Sequence, residues 1–246
     1  MVSAIREVTE GDLREYGREV RAALPELNPQ QHAYVIAMEV ADRMLGRPWV
    51  QRATGLRPPA DPFIGTLIPG IVGVPHLIRV TELGETLFNL QRVPGFLPHR
   101  LIALKSGGRS FEAANLELTA GRFLKRAGIP FEYAEGHSRG RDTYELDFHV
   151  GGVSYPLEAK LKEETTACSA QTVDNALREA RRQLPRGRTG IVFLGIPWTW
   201  TALSLNQDLM RTAIQRFLRF TTRIAAVVVV WRTWHLGEPA IVVSRS

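Results

Sequence analysis

Cysteine is almost missing from this chain: Cys168 is the only one among 246 residues. A lone thiol excludes an internal disulfide framework and any metal centre built on several thiolates. Long apolar runs are missing too. The most apolar stretch, Ile224 to Trp231, is far shorter than a bilayer span requires. No basic-then-apolar segment of the secretory kind opens the sequence, so the expected setting is a reducing cytoplasm with no membrane partner. His32, His76, His99, His137 and His235 show no zinc spacing and no pairing with a nucleophile. A Gly-x-Ser-x-Gly elbow is absent, and Gly107-Gly108 is too short to serve as a phosphate loop. Internal repeats and low-complexity tracts are absent as well.

The apolar share of 44% and the charged share of 23% are those of an ordinary folded protein, which argues against wholesale disorder. The length suits one domain with an elaboration, or two small domains. A net charge of +6 favours a polyanionic partner. Residues 1 to about 48 are predicted helical, with Asn28 as an N-cap and Pro29 at the first helical position of a second helix. Gly46 to Pro75 is predicted to be an irregular connection. It is not a free linker, because Phe63, Ile64, Leu67, Ile68, Ile71 and Val72 are too apolar to be left in water. A short helix is expected over Thr81 to Leu90, closed by Val93 to Pro98.

The second half is more regular. Ser110 is expected to cap a helix from Phe111 to about Ala127, stopped by Gly128 and Pro130. A strand near Phe131 to Ala134 and a loop over Gly136 to Arg141 follow. Leu146, Phe148 and Val150 then alternate with Glu145, Asp147 and His149, as on a half-buried strand. Gly151-Gly152 marks a hairpin turn into a second alternating run that ends at Leu157-Glu158-Ala159-Lys160-Leu161. In that hairpin residue 147 lies opposite about 156, which makes Asp147 a diagonal neighbour of Glu158. Two carboxylates and the Lys160 ammonium converge on one polar face, a grouping suited to a divalent metal and a phosphodiester. A helix from about Ala170 to Leu184, a strand over Thr189 to Ile196, a helix from about Asn206 to Phe220 and strands over Ile224 to Trp231 and Pro239 to Ser244 complete the chain. The expected fold is α/β: a mixed central β-sheet flanked by helices, with an αβββαβ core and a helical N-terminal region.

The element order, the hairpin and the Asp147-x10-Glu158-x-Lys160 spacing together resemble the PD-(D/E)xK nuclease superfamily, the restriction-endonuclease-like fold. The resemblance covers roughly Phe111 to Ile196. It departs in having Leu146 where the motif has proline, and in carrying Pro156 inside a strand, which implies an edge position or a bulge. The resemblance implies Asp147 and Glu158 as carboxylate ligands to Mg²⁺ or Mn²⁺, with the Ala159 carbonyl as a third oxygen. Lys160 would orient the attacking water or steady the charge that develops on the phosphate. It further implies a metal-binding or metal-orienting role for Glu117 on the preceding helix, and substrate or site contact for Gln183, with Gln171 the competing choice. Glu112, Glu145 and His149 are lesser candidates, with Glu145 at the rim of the site.

Arg178, Arg181, Arg182, Arg186 and Arg188 are expected to bind nucleic-acid phosphates, or else to form a solvated face. The expected activity is therefore a Mg²⁺-dependent endonuclease acting on DNA, more than on RNA, in restriction, repair or phage defence. The alternative is a non-catalytic nucleic-acid- or protein-binding module that retains the fold. Residues 106–246 would form the nuclease-like domain and residues 1–105 a substrate-selecting or partner-docking appendage, and a homodimer is compatible with both.

Overall fold

The computed structural model of the chain describes residues 7–53, 74–96, 99–106, 108–134, 144–163, 165–201, 203–231 and 240–244. The apolar segment Phe63 to Val72, the loop Gly136 to Arg141, His137, His235 and Trp234 lie outside them. The chain forms two compact units, Met1–Arg92 with Phe96–Leu118 and Val93–Gly95 with Thr119–Ser246. They divide between Leu118 and Thr119, inside a helix.

The first unit is built from helices α1 (Glu10–Ala23), α2 (Pro29–Leu45), α3 (Arg47–Ala53), α4 (Val74–Leu90), α5 (His99–Ser106) and the start of α6 (Gly108–Arg126). Thr9 caps α1 and Asn28 caps α2. Each accepts from the backbone three residues on and is answered by that residue's side chain, Asp12 or Gln31. Pro29 stands at the first turn of α2, as expected. The helix expected from Thr81 starts earlier, at Val74, since Pro75 in a first turn is compatible with a helix and does not break it. Helix α5 has no counterpart among the sequence expectations. Helix α6 begins at Gly108, so Ser110 lies inside it and does not cap it. The core of this unit gathers Met44, Trp49, Leu83, Leu87, Leu101, Leu104 and Phe111, with the Trp49 and Phe111 rings stacked 6.3 Å apart.

The second unit holds a single six-stranded sheet: β1 (Phe131–Tyr133), β2 (Leu146–Val150), β3 (Val153–Leu161), β4 (Gly190–Gly195), β5 (Ile224–Val230) and β6 (Ala240–Ser244), in that spatial order. It is mixed. The first three strands and the last pair are antiparallel, whereas β3·β4 and β4·β5 are parallel and joined through α7 (Ala170–Gln183) and α8 (Ser204–Arg219). The β2–β3 turn is Gly151-Gly152, with φ of +58° and +78°, the two positive values that a tight hairpin needs. Asp147 therefore pairs with Pro156, in the register expected.

Alternation sorts the side chains by face. Leu146, Phe148, Leu157 and Phe193 share one face, and Phe123 of α6 meets Phe193 edge-on at 5.9 Å. On the opposite face Val192, Leu194, Val227 and Val229 pack with Val173, Ala176, Leu177 and Ala180 of α7 and with Met210, Ala213, Ile214 and Phe217 of α8. Among the described residues no helix is long and apolar enough to cross a membrane.

Pro156 corrects one expectation. Its strand is neither an edge nor bulged there: β3 lies between β2 and β4, and five consecutive pairs join it to β2. The Leu157 carbonyl accepts from Glu145 on the β2 side at 3.0 Å, so the adjacent Pro156 peptide groups face β4. The β3·β4 ladder begins only at Leu157↔Ile191, one step past the missing donor. Close approach replaces the bond: a Cβ on Gly190 would come within 2.5 Å of the Pro156 carbonyl oxygen. Gly190→Ala is therefore expected to destabilise the protein by about 1–3 kcal/mol, the usual cost of overpacking, read as a lower urea midpoint. An unchanged midpoint would mean that β4 can shift freely at its first residue.

Candidate active site

The polar site lies on the α7-covered face of the sheet. Glu158 and Lys160 stand beside Val192 and Leu194 in the parallel ladder, and Asp147 shares their face through its pairing with Pro156. Glu158 is 0% exposed, an unusual position for a carboxylate. Its Oε1 lies 2.9 Å from Lys160 Nζ, a charge contact whose alignment falls short of a hydrogen bond, and its Oε2 accepts no hydrogen bond among the described residues. Burial pushes the Glu158 carboxyl up to about 8; the charge of Glu145 adds to the rise, and Lys160 offsets only part of it.

Lys160, with its side chain 14% exposed, bridges Glu158 to Glu179 of α7, donating to Glu179 at 3.2 Å. Burial alone would lower the lysine pKa, but the neighbouring carboxylates outweigh it and hold the ammonium charged. Gln183 follows Glu179 by one helical turn on the same stripe of α7 and is half-buried.

Asp147 has the opposite surroundings. Its Oδ1 accepts from Ser154 Oγ at 3.1 Å and from the Arg188 guanidinium, and its Oδ2 accepts from the Tyr144 hydroxyl at 2.8 Å. Arg188 also donates to Ser154 Oγ at 2.9 Å and to the Tyr144 hydroxyl at 3.4 Å. Burial would raise the Asp147 pKa, yet the bonds from Arg188, Tyr144 and Ser154 outweigh it and hold the carboxyl below its ordinary value. Arg188 is thus a site residue in contact with Asp147. It does not belong to an outer face.

The remaining arginines spread out. Arg178 pairs with Asp174 at 2.7 Å, the Arg181 guanidinium lies 5.8 Å from the centre of the Phe217 ring, and Arg182 and Arg186 are exposed. Gln171 is exposed and bonds Asn175 at 2.7 Å. Glu117 lies in the first unit, 3.3 Å from Arg100. His149 is exposed near the hairpin tip, opposite Ser154. Two further acids stand near these carboxyls. Glu145 bears directly on Glu158, and Glu132 pairs across β1·β2 with Asp147. The Glu145 contact is recoverable by extending the hairpin register one step; a three-residue strand such as β1 offers no comparable signal.

Carboxylate oxygens are the right donors for Mg²⁺ or Mn²⁺, and the buried, unpartnered Glu158 oxygen fits such an ion. Asp147 does not fit it in this arrangement, because Arg188, Ser154 and Tyr144 take up both of its oxygens. Among the described residues no three His, Cys, Asp or Glu side chains come together as a metal-holding group. Comparison with protein-family models, curated proteins and solved structures returns no match.

The two carboxyls shift stability in opposite senses. Asp147, held low, stabilises the fold above its unfolded value of 3.8, and that contribution is lost as pH falls through the lower folded value. Glu158 behaves the other way. Between 4.5 and about 8 the folded protein keeps a proton that the unfolded chain has released, so stability declines as pH rises across that window. Glu158→Gln should therefore gain on the wild type progressively from about pH 5 to about pH 8.5, read from urea midpoints. A constant offset between the two proteins across that range would contradict a proton held at Glu158.

Proposed function

We propose that the chain is a metal-dependent endonuclease that cuts DNA, with a core of the PD-(D/E)xK type and Mg²⁺ or Mn²⁺ as its ion. The observation that carries this reading is Glu158: a fully buried carboxylate with neither oxygen hydrogen-bonded among the described residues, on the strand beside Asp147 and two residues from Lys160. Burying such a group costs stability unless a cation or a proton answers it. A neutral hydrophobe would serve the sheet better, so a role in chemistry accounts for its presence.

Glu158 would hold the ion, joined by Asp147 once Arg188 withdraws, with the Ala159 carbonyl beside them and Glu145 adding negative charge. The bound ion supplies a Lewis acid and a water of lowered pKa. Lys160 would turn its ammonium, now shared between Glu158 and Glu179, toward the charge that builds on the phosphate in the transition state. The exposed Arg182 and Arg186, on α7 and in the turn after it, would meet backbone phosphates, in keeping with the net charge of +6.

A second reading, a nucleic-acid-binding module without catalysis, is favoured by one observation: Arg188 neutralises Asp147. Supercoiled plasmid separates the two. The nuclease should nick or linearise it with Mg²⁺ and leave it intact with EDTA. Asp147→Asn and Glu158→Gln should abolish cutting. Lys160→Ala should lose about 10²–10³ in rate, the cost of one transition-state donor, with circular dichroism showing all three folded. Metal-independent binding without cleavage would establish the module instead.

A further inference from the structure

We propose that Arg188 is a latch on Asp147: in the free protein its guanidinium occupies the carboxylate, and on binding it passes to a phosphate of the nucleic acid and releases Asp147. The proposal rests on the nuclease reading above. Arg188 stands just before β4, at the end of the connection from α7, with its side chain 33% exposed. The guanidinium can therefore be reached by a substrate while it touches Asp147. It uses Nη2 toward Asp147 and Ser154 and Nη1 toward Tyr144; its other N–H groups have no partner among the described residues.

The exchange is chemically even. A guanidinium presents the same planar fork to a carboxylate and to a phosphate, so one anion replaces another without loss of pairing. The Tyr144 ring lies under the guanidinium, 5.8 Å from its carbon, and steadies its plane. Once the latch opens, Asp147 keeps only the Tyr144 and Ser154 hydroxyls, and Oδ1 loses its cationic partner. A carboxylate that has lost its paired cation then faces the same side of the sheet as buried Glu158, which favours a divalent cation there. Substrate and metal consequently favour each other, because a ligand that removes Arg188 raises the affinity of the site it was blocking, and the converse holds by linkage.

Titration of the full chain with MnCl₂ by calorimetry, without DNA, tests the latch. Arg188→Ala should bind Mn²⁺ about 5- to 150-fold more tightly than wild type, the usual span of such couplings, and the gain should vanish in Arg188→Ala/Asp147→Asn. Arg188→Lys keeps the charge but cannot reach Asp147, Ser154 and Tyr144 together, so its affinity should fall between the two. This variant decides the matter if the alanine protein does not fold. On short duplex DNA in EDTA, the log–log salt slope of Arg188→Ala should flatten by about 0.9, the loss of one phosphate contact.

Equal Mn²⁺ affinity in wild type and Arg188 variants, with binding abolished by Glu158→Gln, overturns the latch and leaves the nuclease reading standing. An unchanged salt slope overturns the hand-over to phosphate. If neither wild type nor variant binds Mn²⁺ and plasmid stays uncut, both the latch and the nuclease reading fall.

Discussion

Strand β3 must satisfy two ladders of opposite sense, antiparallel to β2 and parallel to β4, and the character of the polar site follows from that position. An interior strand is denied water along both edges, and helix α7 denies it over one face. An ionisable side chain beneath α7 on that face is desolvated whether or not it has a partner. Glu158 sits there. On an edge strand the same residue would be a solvated carboxylate of no consequence; here burial is the main force that lifts its pKa to about 8. Lys160, two residues on and nearer the rim, is buried less and keeps its charge.

The two principal carboxyls, one step apart diagonally on adjacent strands, have been driven in opposite directions. Asp147 is surrounded by donors and stays ionised; Glu158 has one off-axis cation and holds its proton near neutrality. Such separation of neighbouring groups is a common sign of assigned chemical roles. Both groups also share a face with an ammonium, on a sheet covered by a helix that carries further arginines. The cost of Glu158 is borne by the apolar packing on its face of the sheet, where Val173 and Leu177 of α7 pack with Val192 and Leu194 of β4.

Much of this is legible in the sequence. Period-two alternation on either side of Gly151-Gly152 is enough to set strand, turn and register together, so the diagonal relation of Asp147 to Glu158 can be read without coordinates. The mixed sheet flanked by helices is readable from element order. Pro156 misleads because a missing donor argues for an edge, whereas its nitrogen points to where the β4 ladder has not yet begun. Val74 to Val80 does not announce itself as helix, because Pro75 reads as punctuation until its place in a first turn is known. The Arg188 contact has no local signal. It joins residues far apart in sequence, and nothing in a run of five arginines tells which one turns inward. Glu145 is easily underweighted for a different reason: its importance lies in the field it exerts on a group whose burial only the completed sheet reveals.

The tight β2–β3 turn has a consequence in time. A hairpin closed by two glycines needs only local contacts and forms on the microsecond scale, whereas the parallel β3·β4 pairing must wait for α7 to bring β4 back. Asp147 and Glu158 are therefore expected to meet while the hairpin is still wet, both ionised and mutually repelling. The Glu158 carboxyl would take up its proton only when β4 and α7 seal the sheet. Folding of this unit near neutral pH should thus take up a proton, at whatever stage closes β4 and α7 over Glu158.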